Sequence, residues 1–427
     1  MTAALTTGTS PAEVRPLATA SGLEVWHVAS DFVPLVAIAF NMEGGAAQDP
    51  PGKAGAAQML ARLLDEGAGP YDSDAFQQRL AARAIELGFN AGPDAIGGSL
   101  KTLVEHADEA FDLLRLALAE PRFDEDAVER VRAQTIASLR YQANDPGAVA
   151  TKRFFREAFP GHPYGSPVSG TEETVAAVTR EDLVALHRRL VARGRLNVTA
   201  VGALPAERLL AGIDAAFGSL PGEAELEPVR DMPLAGLGTR RIVDLDVPQS
   251  VIRFGVAGLR WRDPDFIPAY VLNHILGGGA FTSRLFQEVR ERRGLAYSVG
   301  TSLASYRHAA MCWGYTATKN ERVAECLDVI TSEMARLSHE GPTEDELAKA
   351  KDYLVGSYAL AFDSSTKIAH QLAQIAFEKL GIDHIRRRNA LVAAVTPEDV
   401  RRAASRTLAD ARMLVVIAGR PVGVAEA

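Results

Sequence analysis

The sequence repeats itself once, and this duplication limits the folds that the chain can adopt. The segment "DEDAVERVR", which begins at Asp124, recurs as "TEDELAKAK" at Thr343, 219 residues later. In the same order "VTREDLVAL" recurs as "VTPEDVRRA" and "VTAVG" recurs as "VVIAG", each 217 residues later. Matches in a fixed order at a nearly constant offset indicate two homologous halves. We therefore expect two domains of the same architecture.

The length of 427 residues agrees with this duplication, because it exceeds what one ordinary core holds. Residues 221–239 are rich in Pro, Gly and Glu without helical or alternating periodicity, which is typical of a linker. We predict an N-terminal domain over 1–220, this linker, and a C-terminal domain over 240–427. In each half short strands come first, and long helices precede a last strand. This order predicts an α+β fold in which each domain is a mostly antiparallel sheet with helices packed on one face.

Charge and cysteine content exclude several classes of function. The net charge is −8 and no basic tract is present, so no nucleic-acid partner is expected. Two cysteines, Cys312 and Cys326, are too few for a disulfide framework, and we expect free thiols. Residues 1–16 lack the features of a secretory signal and no apolar run approaches the roughly 18 residues that span a bilayer, so we expect a cytoplasmic chain without membrane contact. A periplasmic location stays open, because removal of a leader would erase that inference.

One helix of the first half has an apolar face and a polar face. From Ala56 the apolar residues recur at i, i+4, i+7 and i+8, and the helix is expected to stop before Gly67. Gln58 and Arg62, four residues apart, share a different face. Taken alone, these two residues also fit a solvated polar face on a core helix.

The longer segment "DPPGKAGAAQMLARLLDEGAGPYDSDAF" resembles the N-terminal segment of the pitrilysin or insulinase-type peptidases, the inverzincins, whose helix carries His-x-x-Glu-His. Laid over that motif, Gln58 and Arg62 stand where the two histidine ligands are expected, and Ala61 stands where the general-base glutamate is expected. Alignment of "VERVRAQTIASLRYQ" puts Ser138 at the position of the third ligand, a glutamate. The resemblance therefore implies a degenerate zinc site.

These four residues do not have the chemistry that zinc requires. A catalytic zinc takes three imidazole, thiolate or carboxylate ligands and keeps an open position for water. A guanidinium at Arg62 would instead repel a divalent cation, and the methyl group of Ala61 offers no base for the water. No two of the nine histidines lie within five residues of each other. We therefore expect this chain to bind no metal and no other cofactor.

The stretch 276–300, "LGGGAFTSRLFQEVRERRGLAYSVG", is the most informative part of the second half. A Gly-rich turn leads into a short helix, and either Thr282 or Ser283 is expected to cap its N-terminus. Glu288 and Arg292 are spaced to form a supporting ion pair. The turn lacks the Gly-Lys-Ser/Thr ending of a phosphate loop, so nucleotide binding is not expected.

This stretch resembles the second-domain signature of the same family, in which an Arg and a Tyr seven residues later reach the substrate at the zinc. Those residues are Arg290 and Tyr297. The Arg would anchor a substrate carbonyl or carboxylate, and the Tyr hydroxyl would donate to the scissile carbonyl. The resemblance also implies substrate contacts by four turn residues: Gly278, Gly279, Ala280 and Phe281. The alternative interpretation is a surface cation on a basic helix and a strand tyrosine half-buried in the core.

Some members of this family work as heterodimers, in which one subunit carries zinc and the other carries the Arg and the Tyr. The resemblance therefore implies a non-catalytic subunit, similar to the alpha subunit of mitochondrial processing peptidase and its bacterial relatives. Such a chain is inactive alone, forms half of a clam-shell chamber with a zinc-bearing homologue, and acts on small unfolded peptides. One candidate substrate is the precursor peptide of pyrroloquinoline quinone. Two alternatives stay open, namely a scaffold subunit without a proteolytic role and a protein that holds peptides without cutting them.

Overall fold

The strands of the chain form two separate sheets in the computed structural model, which describes residues 13–408 and 412–427. Residues 1–12, which carry most of the prediction that no secretory signal is present, lie outside this description. The first sheet contains β1 (Arg15–Ala18), β2 (Glu24–Ala29), β3 (Leu35–Glu43), β4 (Glu86–Ala91), β5 (Ala95–Leu103) and β6 (Leu196–Gly202). The second contains β7 (Arg240–Val243), β8 (Gln249–Ala257), β9 (Ala296–Ser305), β10 (Ala310–Lys319) and β11 (Leu414–Ala418).

The helices of the first half are α1 (Ala56–Leu63), α2 (Ser73–Ala82), α3 (Ala107–Ala119), α4 (Glu125–Gln142), α5 (Pro146–Ala158), α6 (Glu172–Ala176), α7 (Arg180–Leu190) and α8 (Ala206–Phe217). Those of the second half are α9 (Phe266–Asn273), α10 (Val323–Glu340), α11 (Glu344–Gly356), α12 (Ser365–Phe377), α13 (His384–Ala394) and α14 (Pro397–Thr407). Across the described ranges, no helix is both long enough and apolar enough to cross a bilayer.

The order of the strands is similar in the two sheets. It is β1-β2-β6-β3-β5-β4 in the first and β7-β11-β8-β10-β9 in the second. The pairs β2 with β6 and β7 with β11 are parallel, and the other neighbouring strands run antiparallel. The prediction of an α+β fold with two mostly antiparallel sheets is confirmed.

The two faces of the first sheet belong to different cores. On one face the ring of Phe40 in β3 packs edge to face on Phe217 of α8, with 5.1 Å between ring centroids. Successive strand residues point to opposite faces, so Ala39 points the other way, where it packs with Leu372 of α12. On that second face the buried hydroxyl of Thr199 in β6 donates to a backbone carbonyl of α12 at 2.8 Å. Helices therefore cover both faces, whereas the sequence pattern predicted helices on one.

The second sheet shows the same arrangement. Phe254 of β8 is fully buried in a core that it shares with Ile330 of α10. Its neighbour Gly255 lies on the opposite face, beneath Phe154 of α5. A Cβ atom at this glycine would lie 2.6 Å from the Phe154 ring, which is closer than packed atoms approach. The absence of a side chain at Gly255 thus lets α5 lie against the strand.

The helices on these second faces come from opposite halves of the sequence. The chain divides into two compact units, and each unit combines three segments. The first comprises the residues up to 137 together with 168–228 and 357–387, and the second comprises 138–167, 229–356 and the residues from 388 onward. Consequently α12 belongs to the first unit and α5 to the second. The boundaries predicted at 220 and 240 refer to the sequence repeat and stay a prediction.

The duplication is visible in local backbone geometry. Thr179 and Thr396, 217 residues apart, each form a capping box at the start of α7 and α14, respectively. Gly202 and Gly419 follow the matching strand cores and have φ angles of 148° and 150°. That backbone conformation is open to glycine and strained for other residues. The two halves therefore share turn chemistry as well as element order.

Both cysteines are buried as free thiols, as predicted. Burial raises the pKa of Cys312 to about 12 and that of Cys326 to about 11. Neither thiolate therefore forms near neutral pH, so both side chains act as small apolar groups in the second core.

A buried ion pair fixes the start of the helical segment that carries Arg290. Arg284 is 8% exposed, and its Nε and Nη2 atoms donate to the two carboxylate oxygens of Glu346 on α11, both at 2.7 Å. Nη2 also donates to the carbonyl of Gly341 at 3.1 Å. A two-pronged pair of this kind sets orientation as well as distance. The segment after the Gly-rich turn is therefore held firmly against α11.

We predict that Glu346→Gln lowers the free energy of unfolding by about 3 kcal/mol, because it leaves the Arg284 guanidinium buried without a countercharge. Urea denaturation followed by circular dichroism measures the change. The matched control is Asp345→Asn, which breaks an exposed pair with Lys349 and is expected to cost less than about 0.5 kcal/mol. Equal losses in the two variants would contradict the anchoring role of Arg284.

Candidate functional site

The Gly-rich turn before Arg290 has unusual helical winding. A π-helical segment covers His274–Gly278, a 3-10 turn covers Ala280–Thr282, and a second π-helical segment covers Phe286–Arg292. Such segments are rare and occur frequently at functional sites. In addition, Ala280 has a φ of 45°, in the left-handed region that residues other than glycine seldom adopt. One of the four non-glycine residues with positive φ in the described ranges therefore lies in the turn for which substrate contacts are predicted.

The glycines of the turn are required by packing. A Cβ atom on Gly278 would lie 2.5 Å from the side-chain nitrogen of Asn273, and one on Gly279 would lie 2.7 Å from the carbonyl oxygen of His274. The turn thus lies directly on the end of α9, where glycine alone fits. Three of the four predicted contact residues are exposed: Gly278, Ala280 and Phe281. Their contact with substrate stays a prediction.

Ser283 directly precedes the following helix, as predicted, and its carbonyl accepts the N–H of Gln287 at 3.0 Å, but its side chain does not cap that helix. The Ser283 hydroxyl donates to the carbonyl of Ala280 at 2.8 Å, and the Thr282 hydroxyl donates to the carbonyl of Gly279 at 3.0 Å. A hydroxyl can donate as well as accept, and here both close the turn instead of accepting a helix N–H.

Arg290 and Tyr297 are brought together at the surface. The guanidinium carbon of Arg290 lies 4.8 Å from the ring centroid of Tyr297 and 4.7 Å from that of Phe286. Phe281 is a third aromatic neighbour at 5.9 Å. Distances of this size are those of cation–π contacts. Tyr297 is 84% exposed, so the interpretation of this residue as half-buried in the core is wrong.

The other charges of this helix are mutually paired. Glu288 is buried and pairs with Arg292, as predicted, and also with Arg293. Burial favours a raised pKa for Glu288, but the hydrogen bond from Arg293 and the two guanidinium charges outweigh it and hold that pKa below its usual range. The closest acidic contact of Arg290 is Glu291, 3.7 Å from its Nε, which is too long for a hydrogen bond. Arg290 therefore keeps its donors available.

The degenerate zinc positions on α1 are part of the fold. Ala61 is completely buried and Gln58 is half-buried. Arg62 reaches α4, where its Nη1 donates to the hydroxyl of Thr135 at 2.9 Å and its Nη2 donates to the side-chain oxygen of Gln134 at 2.8 Å. The resemblance puts the third zinc ligand on that same helix. A guanidinium therefore links α1 to α4 by hydrogen bonds.

The side chains present do not fit a zinc ion. Ser138, at the position of the third ligand, is exposed on α4, and its hydroxyl accepts a hydrogen bond from Gln142 at 3.3 Å. An amide, a methyl group, a guanidinium and a hydroxyl do not make a zinc ligand set. Within residues 13–408 and 412–427, no group of three His, Cys, Asp or Glu residues could hold a metal ion.

Two residues of these segments were missed by the sequence analysis. Phe286 precedes Arg290 by four residues, and this spacing alone could have indicated their contact. Asp49 accepts hydrogen bonds from the backbone N–H groups of Gly55 and Ala57 at 2.8 and 2.7 Å and thereby fixes the start of α1. Burial raises the pKa of Asp49 to about 7, although the two N–H donors act in the opposite direction. No periodic signal in the sequence marks this aspartate.

We predict that Arg62→Met lowers the free energy of unfolding by about 2 kcal/mol, because it removes two charge-assisted hydrogen bonds between α1 and α4. Denaturant unfolding measures this loss. The matched variant is Arg62→Lys, which keeps the charge but cannot reach both acceptors with a planar fork, and a similar loss is expected. A wild-type value for Arg62→Lys would show that the bridge between the helices is not what stabilises the fold.

We also predict that the double variant Gln58→His/Arg62→His hydrolyses no peptide. It restores two imidazoles, but Ala61 still supplies no general base and Ser138 no third ligand. The test is an assay with a fluorogenic peptide in the presence of added zinc. Zinc-dependent hydrolysis by this variant would mean that the family motif has been aligned wrongly with α1.

Comparison with known proteins identifies the family. The model of the insulinase family, peptidase family M16, matches residues 26–172, and the model of the peptidase M16 inactive domain matches residues 177–354. A similar curated protein is the Non-peptidase homolog YmxG of Helicobacter pylori, 28% identical over 331 residues that cover 77% of this chain and 76% of that protein. An uncharacterized zinc protease of Mycobacterium leprae is 30% identical over 357 residues, which cover 78% of this chain and 76% of that protein.

Solved structures agree with this result. The crystal structure of a peptidase M16 inactive domain from Pseudomonas fluorescens has a TM-score of 0.90 and 26% identity, and the match covers 97% of this chain and 99% of that chain. A protease from Helicobacter pylori has the same fold, with a TM-score of 0.87 at 18% identity over 96% of this chain and 99% of that one. The relatives are thus described variously, as a non-peptidase homolog, as an uncharacterized zinc protease and as an inactive domain. The chain belongs to the peptidase M16 family.

Proposed function

We propose that this chain is the non-catalytic subunit of a two-subunit zinc peptidase and lends Arg290 and Tyr297 in trans to a zinc-bearing homologue. One observation carries the proposal: the guanidinium and the phenol lie 4.8 Å apart at the surface, although the zinc positions of the same chain are occupied by residues that cannot hold the metal. A scaffold requires neither an exposed tyrosine stacked on an arginine nor a strained turn next to it.

In this proposal the partner supplies the metal and the water, and this chain supplies hydrogen-bond donors. The stacking of Arg290 between Phe286 and Tyr297 uses the faces of the rings, so the N–H groups of its fork stay free for a carbonyl or carboxylate of the peptide. The Tyr297 hydroxyl donates to the oxygen of the scissile carbonyl and to the negative charge that develops on it. Each donor interacts more strongly with the substrate in a closed chamber that excludes water than at an open surface, because the effective dielectric constant is lower there.

The proposed substrate is a small unfolded peptide, and the turn residues 278–281, three of which are exposed, contact it. Because one subunit cannot enclose a peptide alone, the proposal requires a partner interface larger than about 1,000 Å². The precursor peptide of pyrroloquinoline quinone is included as a candidate on the strength of the family resemblance.

We predict peptide cleavage only when the chain is mixed with a zinc-bearing M16 protein encoded in the same genome. In that mixture Tyr297→Phe should lower kcat/KM by about 100-fold, because one donor to the developing oxyanion is lost. Arg290→Ala should lower it by a similar factor through weaker binding and orientation of the substrate. The assay measures cleavage of a panel of quenched fluorescent peptides.

Matched controls separate this role from general damage to the surface. Tyr141→Phe removes a hydroxyl from a tyrosine that is 83% exposed on α4, and Arg322→Ala removes an exposed guanidinium that pairs with Glu325. Both variants should cleave at the wild-type rate. Cleavage by the unmixed chain, or full activity of Tyr297→Phe and Arg290→Ala in the mixture, would overturn the proposal, and the second outcome would favour a scaffold.

A further inference from the structure

A second arginine is held between aromatic rings on the second sheet. Arg253 is the one charged residue of strand β8, and it pairs in register with Tyr315 of β10. Its guanidinium carbon lies 5.3 Å from the ring centroid of Trp313 and 5.6 Å from that of Tyr315. Its Nε donates to the hydroxyl of Thr151 on α5 at 2.9 Å. Two rings and one hydrogen bond therefore fix the plane of the guanidinium.

The positive charge of Arg253 is not neutralised locally. No carboxylate in the described part of the chain forms an ion pair with it, and its hydrogen bond to Thr151 uses Nε and leaves the two Nη groups. The nearest acidic influence is Asp145, whose carboxylate accepts the N–H of Ala148 at 2.6 Å at the start of α5. Burial lowers the pKa of Arg253, whereas Tyr315 and the carboxylate of Asp145 act in the opposite direction. A half-buried guanidinium of this kind gains from any anion that reaches its free side.

We propose that Arg253, together with Trp313 and Tyr315, is a carboxylate-binding site for the peptide ligand of this chain. The oriented Nη groups match the two oxygens of a carboxylate, and lysine could not reproduce this geometry. The carboxylate is that of an acidic side chain or of the peptide C-terminus, since both present the same pair of oxygens. The site is separate from Arg290 and Tyr297. The proposal rests on the proposed function only for the premise that the ligand is a peptide.

The face on which Arg253 lies is open to a ligand on the side of β9. Tyr315 is 45% exposed, and its ring lies over Gly300, the residue opposite it on β9. A Cβ atom on Gly300 would already come within 3.3 Å of that ring. Gly300 is buried beneath this ring, and the exposed neighbour on the same face of β9 is Ser302, which pairs with Trp313. An extended peptide can lie on this exposed surface of Tyr315 and Ser302.

The sheet geometry sets the spacing between the two sites. A bulge in β9 places Ala296 opposite Thr318 and Val299 opposite Thr316, so about two residue rises separate Tyr297 from Gly300 along the sheet, and two strand spacings separate Gly300 from Arg253. With about 3.4 Å per residue and about 4.8 Å between strands, the Cα atoms of Tyr297 and Arg253 are about 12 Å apart. An extended peptide covers this distance with about four residues. We therefore infer that an acidic residue, or the C-terminus, lies about four residues from the bond that faces Tyr297.

The test measures binding of three short synthetic peptides to the full chain by isothermal titration calorimetry. All three have the same sequence: one carries Gln with both termini blocked, one carries Glu at that position with both termini blocked, and one carries Gln with a free C-terminal carboxylate. We expect one or both of the carboxylate peptides to bind about tenfold more tightly than the fully neutral one, as a charge-assisted hydrogen bond provides. The difference should shrink in high salt. Tighter binding of the Glu peptide identifies an acidic side chain as the source of the carboxylate, and tighter binding of the peptide with a free C-terminus identifies the terminus.

Variants decide whether Arg253 is responsible. Arg253→Gln should bind all three peptides with equal affinity. Arg253→Lys keeps the charge and should retain part of the preference for a carboxylate. A graded response of this kind shows that the loss in Arg253→Gln does not come from loss of folding. Arg322→Gln, which removes an equal charge elsewhere in the same unit, should keep the full preference. Equal affinities for the wild-type chain, or a preference unchanged in Arg253→Gln, would overturn the proposal. Because Arg290→Ala should not alter the preference, failure of the trans-activity assay and failure of this proposal are distinguishable.

Discussion

Each sheet has two apolar faces, and the rest of the structure depends on covering the second one. Ala39 of β3 and Gly255 of β8 mark these second faces, which are covered by α12 and α5, respectively. Apolar surface left open there would cost about 25 cal/mol per Å². In both cases the covering helix comes from the opposite half of the sequence. Neither half is therefore complete alone, although each repeats the other.

The same need for burial explains why α1 is part of the fold whatever its chemistry. Met59 and Leu60 are completely buried, so removal of the helix would open the first core. A metal held by two helices joins them as well as supplying chemistry. Here Arg62 makes the connection to α4 through hydrogen bonds, and Ala61 packs in the core at the position where the resemblance implies a base. The segment therefore has a packing role that needs no metal.

Sequence patterns predicted the features that depend on spacing within one segment. The fold class followed from periodicity, and the proximity of Arg290 and Tyr297 followed from the signature stretch. The helices on the second faces were not predicted, because periodicity reveals an apolar face but not the sheet that it meets. The π-helical winding leaves no pattern, and the hydroxyl of Ser283 donates where capping required it to accept. The site around Arg253 was missed because it needs the register of β8 with β10.

The arginines for which we propose ligand contacts differ from two structural arginines in their partners. Arg284 is buried against a carboxylate, and Arg62 is satisfied by two neutral acceptors on a neighbouring helix, so both act within the fold. Arg290 and Arg253 are instead held by aromatic rings, which fix the plane of the group without neutralising its charge. Contact with aromatic rings leaves the N–H donors of the guanidinium oriented and without acceptors. A guanidinium in this state binds an incoming carbonyl or carboxylate at a small entropic cost. Arg290 and Arg253 both lie in the second unit, so both ligand contacts that we propose belong to that unit.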